Sequence, residues 1–473
     1  MRKFCFFLMI AVLVPLMQGC PKEPQTITET HEVNRWVYRQ MKQYYLWTDS
    51  LPPIEESGLA SPTQEYFDVN LRYRKNKNIQ LKDDYRGDRF SSIEFKGTDE
   101  QTTRARAATE KEYDFGFLLS RITSGGSLKH LQVLYVIPGT PAAKAGLQRG
   151  DAFDKINGTA VSNSNYQSLL ANPTITLNVL NRETEGAITM QKDFFYNCPI
   201  LVDTIYDDPA KTAYMAYNHF TDGDDTAGYA KKLKEAFKRY KDAEVETLIL
   251  DLRYNGGGEI ENARLLATLI APRESLRDPQ AGSKGGLFML AQRNASKEKF
   301  DEFRFFTNVD NCNADIKNLY IITSSNTASA SELIIHTLRP IFRDTGRTMY
   351  VVGETTHGKN LGTITYTNSQ YEWEISPVSM RVYNIDRESG YERGLKPDTG
   401  RQDSEYMRKP AEDYYSLPPL GDFEKENLLN IVMRRFHDVP PATRSATTRS
   451  SADPLPIPCV PDRGLSEGRV EVR

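Results

Sequence analysis

The sequence is poor in the residues from which metal centres and disulfide frameworks are built. Its 473 residues include five cysteines and six histidines, with the cysteines scattered at positions 5, 20, 198, 312 and 459. No pair of them has the close spacing of a structural zinc site, so neither a metal nor another cofactor is expected. If the first two leave or modify the N-terminus, Cys198, Cys312 and Cys459 allow one bridge at most, and the sequence does not choose the pair. An excess of one charge is lacking as well. Lys and Arg total 60 against 63 Asp and Glu, a formal net charge of -3. Nucleic acid binding draws on concentrated positive charge, so nucleic acid is excluded as a partner. Basic stretches such as KKLKEAFKRYK alternate with acids and apolar residues, the pattern of a solvated helix face. No internal repeat is visible. Hydrophobic residues at 39% and charged residues at 26% describe a soluble globular chain, and the length predicts two or three packed units.

What is present begins at the N-terminus. Arg2 and Lys3 precede FCFFLMIAVLVPLM, a run too short for a comfortable membrane span but suited to the core of a signal peptide. The run ends in LMQGC, where Gly19 before Cys20 resembles a bacterial lipobox. The resemblance implies a lipoprotein signal peptide over 1–19 and a lipidated Cys20 as mature first residue. It also implies attachment to a membrane surface without spanning it, in the bacterial cell envelope and facing the periplasm or the cell surface. An ordinary secreted precursor is the alternative.

Residues 20–105 read as a polar tether and a helical region. Val33, Val37, Met41 and Tyr44 recur at helical spacing, with Trp36 on the same flank. A polar, aromatic-flecked stretch follows, ending in DDYRGDRFSSIEF, and its role is opaque. The run KGTDEQTTRARAATEKE has almost no bulky apolar residues and reads as a linker. Residues 106–193 alternate strand-like pieces with Pro/Gly turns. Residues 194–422 change to α/β grammar: strand-like TAYMAYNHF, TLILDLRYN, LYIIT and TMYVVGE, with helical patterns between them. One such pattern sets Tyr229, Leu233, Phe237 and Tyr240 on one face. Strands alternating with helices indicate a largely parallel sheet covered on both faces. Residues 423–473 promise one more helix and then a Pro/Ser/Thr-rich tail of disordered composition.

Two resemblances carry function. PGTPAAKAGLQRGDAFDKING, after YDFGFLLSRI, resembles a PDZ domain of the kind found in processing proteases. That implies a peptide captured as an added strand, with Phe115, Gly116 and Phe117 as the cradle for its terminal carboxylate. Asp114 departs from the pattern, since its charge opposes an anionic terminus. A scaffolding β-hairpin is the plainer reading.

Three segments of the α/β part stand out together. DLRYNGGGE runs a buried-looking strand into Gly256, Gly257 and Gly258, where backbone N–H groups can face an anion. The Lys-Ser/Thr of a P-loop and the GxGxxG of a dinucleotide site are both missing. NTASASELIIHTLRP sets Ser329 and Ser331 at a strand-to-helix junction. VVGETTHGKNLG puts Lys359 among small residues beyond a strand. A serine hydroxyl is a poor nucleophile until a base takes its proton. A lysine can do so once desolvation brings its pKa down from about 10.4.

In this order, after a PDZ domain, DLRYNGGG, TASASE and GETTHGK resemble the catalytic core of the C-terminal processing, or tail-specific, serine peptidases, with RGLKPD (Arg393 to Asp398) as the closing motif. The resemblance implies a ClpP/crotonase-like core and a Ser329–Lys359 dyad. It implies an oxyanion hole from the N–H groups of Ala330 and Gly257. Thr363 stands where many members carry a glutamine that orients the lysine, and is the candidate third residue. His357 is an alternative base, Ser331 an alternative nucleophile and His336 a structural residue. The extra length between Ser329 and Lys359 is expected in the connection RPIFRDTGR. The implied function is lipid-anchored endoproteolysis of C-terminal or unfolded protein segments through an acyl-enzyme. The alternative is a non-catalytic, PDZ-type peptide-binding lipoprotein on a protease scaffold. The oligomeric state is not legible.

Overall fold

The computed structural model describes residues 27–73, 87–96, 111–181, 186–207, 211–223, 228–277, 286–293, 299–309, 311–398, 412, 414, 417–437 and 457–458. The signal peptide, Cys20, the 97–110 linker and nearly all of the tail lie outside the described residues. Of the tail, Ile457–Pro458 pairs with Thr123 and Ile122. Among the described residues no helix is long and apolar enough to cross a membrane.

Helix α1, Ile27–Tyr44, buries Val33, Val37 and Met41 completely. Strict steps of four residues then lead to Tyr45, and it is Tyr45 that is fully buried, not Tyr44. Tyr44 sits one position around and stacks on Tyr366 at 4.2 Å. This N-terminal body is stitched to the rest by a β-pair, Ser92–Phe95 against Trp373–Ser376.

Residues 112–195 form a mostly antiparallel β body. Its strands Phe117–Ser124, Ser127–Val136, Ala152–Ile156, Thr174–Val179 and Ala187–Gln191 pair in sequence order. The short helix Pro141–Lys144 lies between the second and third, capped at Thr140 with proline at its first position. Leu131, Val133, Phe153, Ile175 and Leu177 are fully buried within it. Entry and exit run side by side, Glu112–Asp114 pairing with Asp193–Phe195.

The largest body is built on five strands in sequence order: β1 Ile200–Tyr206, β2 Thr212–Tyr217, β3 Thr247–Asp251, β4 Asn318–Thr323 and β5 Thr348–Gly353. The sheet is mixed: β1 runs antiparallel to β2, whereas β2, β3, β4 and β5 pair parallel. Successive side chains of a strand face opposite ways, and both faces are covered. Leu248, Leu250, Leu319 and Ile321 join the cluster under helices α2 (Tyr229–Asp242), α3 (Ile260–Ile270) and α4 (Ala330–Asp344). Ile249, Tyr320 and Ile322 join the opposite cluster with Leu428, Leu429 and Val432 of helix α5, Asn427–His437. Two apolar faces account for the near-continuous apolar runs in β3 and β4. Helix α4 continues through Pro340 to Asp344, so most of RPIFRDTGR is helix rather than connection.

A buried ionic network joins the second and third bodies. Arg253, 1% exposed, bonds Asp251, Glu426 (2.7 Å) and Glu412 (3.1 Å). Arg149 of the β body donates to Glu412 and to the Tyr254 hydroxyl. Burial opposes charge at Glu426, yet the Arg253 guanidinium holds its carboxyl down at about 2.

Candidate active site

Because β3, β4 and β5 are parallel neighbours, their C-terminal ends deliver the three motif segments to one edge of the sheet. After β3 the chain turns through Asn255, which is completely buried. Its Nδ2 donates to Tyr217 O (2.9 Å) and its Oδ1 accepts the Gly257 N–H (2.8 Å). Its carbonyl accepts from Ala328 N (3.1 Å) and from the Ser331 hydroxyl (3.0 Å). The glycine turn is thereby fastened to the serine segment. At Gly257 (φ +111°) a Cβ would lie 2.7 Å from Ser329 Cβ and 3.1 Å from Ala330 N, so only glycine allows this approach.

Ser329 ends the turn after β4 and stands just before α4 with φ +59° and ψ −114°, a conformation that costs free energy for a residue with a Cβ. It is 1% exposed and its hydroxyl makes no hydrogen bond. A buried hydroxyl without a partner is an exception that calls for a reason. The Ala330 N–H, first of the helix, has no acceptor within the helix. Ser331, by contrast, donates its hydroxyl to Asn255 O.

Glu332 ties these pieces together. It is fully buried and accepts four donors: Ser329 N (2.9 Å) and Lys359 N (2.8 Å) on Oε2, Gly358 N (2.7 Å) and the Thr356 hydroxyl (2.5 Å) on Oε1. The backbones of residues 329 and 359 therefore meet on a single oxygen atom. Burial pushes the Glu332 carboxyl up, against the lowering effect of these hydrogen bonds. Accepting four donors and donating none, the group acts as a carboxylate. Ser-x-x-Glu ahead of an apolar run is the sequence sign of a capping box, and that was the available clue to Glu332. Here the glutamate serves a second loop as well as the helix start. The closing motif supports that loop: Thr356 pairs with Leu395 through both backbone and hydroxyl. Asp398 accepts Val351 N at 2.8 Å.

Lys359 is 1% exposed. Its Nζ lies 5.2 Å from the centroid of the Phe90 ring. Thr363 is buried on the strand Leu361–Thr363, opposite Val378. His357 packs on Phe90 with ring centroids 6.0 Å apart. Burial lowers its pKa, helped by Arg89 and Lys359. His336 Nε2 meets Glu388 O at 2.7 Å and its ring lies against Tyr391, a packing position. Sequence reasoning missed Glu332, Asn255 and residues 88–91.

The expected carboxylate cradle lies at the start of the strand Phe117–Ser124. Phe115 is buried, Phe117 pairs with Val136 and Gly116 O accepts Ile137 N. The Phe115 N–H is already taken, by Asp114 Oδ1 at 2.8 Å.

Comparison with known proteins matches the same three bodies. Residues 211–400 match the peptidase family S41 model, 132–180 a PDZ domain and 32–92 the peptidase S41 N-terminal domain. The chain belongs to peptidase family S41. Among relatives of this S41 chain is the carboxy-terminal processing protease CtpA of Bacillus subtilis. It is 27% identical over 305 residues, covering 62% of this chain and 58% of that one. The chloroplastic C-terminal processing peptidase of Tetradesmus obliquus is 26% identical over 255 residues, covering 50% and 49%. The chain thus spans between about half and three fifths of the length of these curated relatives. A crystal structure from Bacteroides fragilis, assigned to the S41 proteases, shares the fold. Its TM-score is 0.64 at 24% identity, over 89% of this chain and 99% of the other.

Proposed function

We propose that this S41 chain is a serine endopeptidase cleaving C-terminal or unfolded segments of proteins. The observation that carries the reading is the clamp on Glu332. One carboxylate oxygen holds the backbones of Ser329 and Lys359 together, while Ser329 has a strained backbone and a buried, unpartnered hydroxyl. In the first step Ser329 Oγ bonds the scissile carbonyl carbon, its proton passes to the neutral Lys359 amine, and the carbonyl π pair moves onto oxygen. The Ala330 N–H and the glycine turn at Gly257 receive that charge, with the Gly257 N–H leaving Asn255 Oδ1. The C–N bond then breaks, the ammonium returns its proton to the departing amine, and water deprotonated by Lys359 releases the acyl group. Burial disfavours an ammonium, which suits Lys359 to act as a base. Thr363, four residues on, is the group we assign to orient it.

The core is in our reading of the ClpP/crotonase-like kind, a proposal supported by the parallel pairing of β2 to β5. Residues 115–117 are assigned to peptide capture by strand addition. Cys20 is assigned as a lipid anchor in the bacterial envelope, facing periplasm or surface. Labelling with a radioactive fatty acid that fails to mark the chain, or marks Cys20→Ser equally, removes the anchor.

A serine-reactive fluorophosphonate and an unstructured fluorogenic peptide test the chemistry. The wild type is labelled and cleaves; Ser329→Ala does neither, and Lys359→Arg does not cleave because guanidinium is no base near neutrality. The alternative, a PDZ-type binding protein without catalysis, predicts peptide binding with no labelling at all. Cleavage by Ser329→Ala overturns the nucleophile assignment.

A further inference from the structure

The segment GDRFSS of the N-terminal body reaches the lysine loop of the core. Asp88 is completely buried. Its Oδ1 accepts the N–H groups of Phe90 (3.0 Å) and Ser91 (2.8 Å), and its Oδ2 takes the Tyr45 hydroxyl (2.6 Å). A tight turn is thus fixed to the residue that follows helix α1. Three contacts then dock that turn on the core. Arg89 donates to Gly358 O (3.0 Å) and Glu392 O (3.2 Å), and Ser91 Oγ accepts Val378 N at 2.8 Å. Between them Phe90, 4% exposed, presents its ring to Lys359 Nζ.

We propose that Phe90 is a positioning residue through which the N-terminal body sets the pH range in which Lys359 works as a base. The inference rests on the proposed Ser329–Lys359 chemistry. Phe90 acts in two opposed ways. Its bulk keeps water from the amine, which disfavours the ammonium. Its ring face attracts the ammonium, which favours it. Charged or titratable groups around the loop include Arg89, whose guanidinium lies over the Phe90 ring at 4.6 Å, His357 packed on Phe90, Glu332 beneath the loop backbone with Tyr391 near it, and Glu392 paired with Arg381.

Because the two effects differ in sign, two substitutions separate them. Phe90→Ala admits water to Lys359. The alkaline-rising limb of kcat/KM against pH then moves up by roughly one unit or more, with about tenfold less rate per unit at neutral pH. Phe90→Leu keeps the site dry but removes the ring face, so the limb moves down by roughly half to one unit. Phe90→Tyr restores the wild-type limb. The full chain and an unstructured fluorogenic peptide are used throughout, with Lys359→Ala as control. A residue that merely packs lowers the plateau and leaves the limb where it was. Both limbs within about 0.2 unit of wild type therefore overturn the proposal. If Phe90→Ala does not fold, the Leu variant decides alone: a downward shift supports the proposal, an unmoved limb sinks it. A wild-type limb that survives in Lys359→Ala refutes the dyad instead, and so separates the two failures.

Discussion

Replacing Glu332 by glutamine tests the clamp at the centre of the site. Glutamine keeps one carbonyl oxygen and turns the other acceptor into an NH2 donor. Its better orientation keeps the oxygen toward Ser329 N and Lys359 N, which share Oε2. The NH2 then meets the Thr356 hydroxyl, which can turn to accept, and the Gly358 N–H, which cannot. One buried N–H left unpaired costs ~1–3 kcal/mol, and each of three bonds falling from charged to neutral loses ~1 kcal/mol. The sum is roughly 4–6 kcal/mol, enough to loosen the 356–359 loop without unfolding the sheet beneath it. Loosening moves the lysine relative to the serine, and a misplacement of about 1 Å costs on the order of 100-fold in rate. Urea unfolding of Glu332→Gln is expected to show a lowered midpoint. Its kcat/KM on an unstructured peptide is expected to fall at least 100-fold. A variant that keeps both within twofold of wild type refutes the reasoning, because the clamp then holds nothing that matters.

Ser331→Ala loses its bond to Asn255 O, about 1–2 kcal/mol of stability. It still takes up fluorophosphonate at Ser329, and loss of labelling in this variant alone reverses the two serines' roles. At Glu426 the folded carboxyl, at about 2, lies below its ordinary 4.5. It therefore contributes stability above about pH 4.5, which is lost as pH falls toward 2, on the order of 3 kcal/mol. The urea midpoint is expected to fall between pH 6 and pH 3, and less steeply in Glu426→Gln; equal slopes contradict the ion-pair account. Asp114 holds the Phe115 N–H, so the intact chain should cleave free-acid and amidated peptides within a few-fold of each other. Asp114→Ala frees that donor for a ligand carboxylate, a charge-assisted bond that gives the free acid about a tenfold advantage. No change in the ratio removes residues 115–117 from carboxylate reading.

What the sequence made legible lies within one element or at its end. DLRYNGGG, TASASE and GETTHGK were visible because each marks the point where an apolar run stops and small residues begin. A strand buried on both faces cannot continue through three glycines or an Ala-Ser alternation without losing its packing. Helix α1 was readable to within one position, since steps of four pick out Val33, Val37 and Met41. Tyr44 and Tyr45 are alike in composition, and only the position of Asp88 and Tyr366 decides which turns inward. The register of the PDZ-like strands and the reach of helix α4 past Pro340 depend on partners likewise distant in the chain.

The N-terminal segment was opaque for a sharper reason. Polar residues such as Asp88, Arg89 and Ser91 carry no periodicity, and their partners Gly358 and Val378 stand 269 and 287 residues away. Yet burial carries the information that spacing lacks. A completely buried aspartate must be satisfied or pay a large desolvation cost, and Asp88 is satisfied by holding Phe90 and Ser91 in a turn. A turn held so firmly presents Phe90 in one orientation, and that orientation faces Lys359. The same logic explains Glu332, a single buried carboxylate that accepts four donors from one loop and a helix start. The serine and the lysine are recognisable from their neighbours in the chain. The carboxylates that hold their surroundings, Glu332 and Asp88, are recognisable from being buried and hydrogen-bonded.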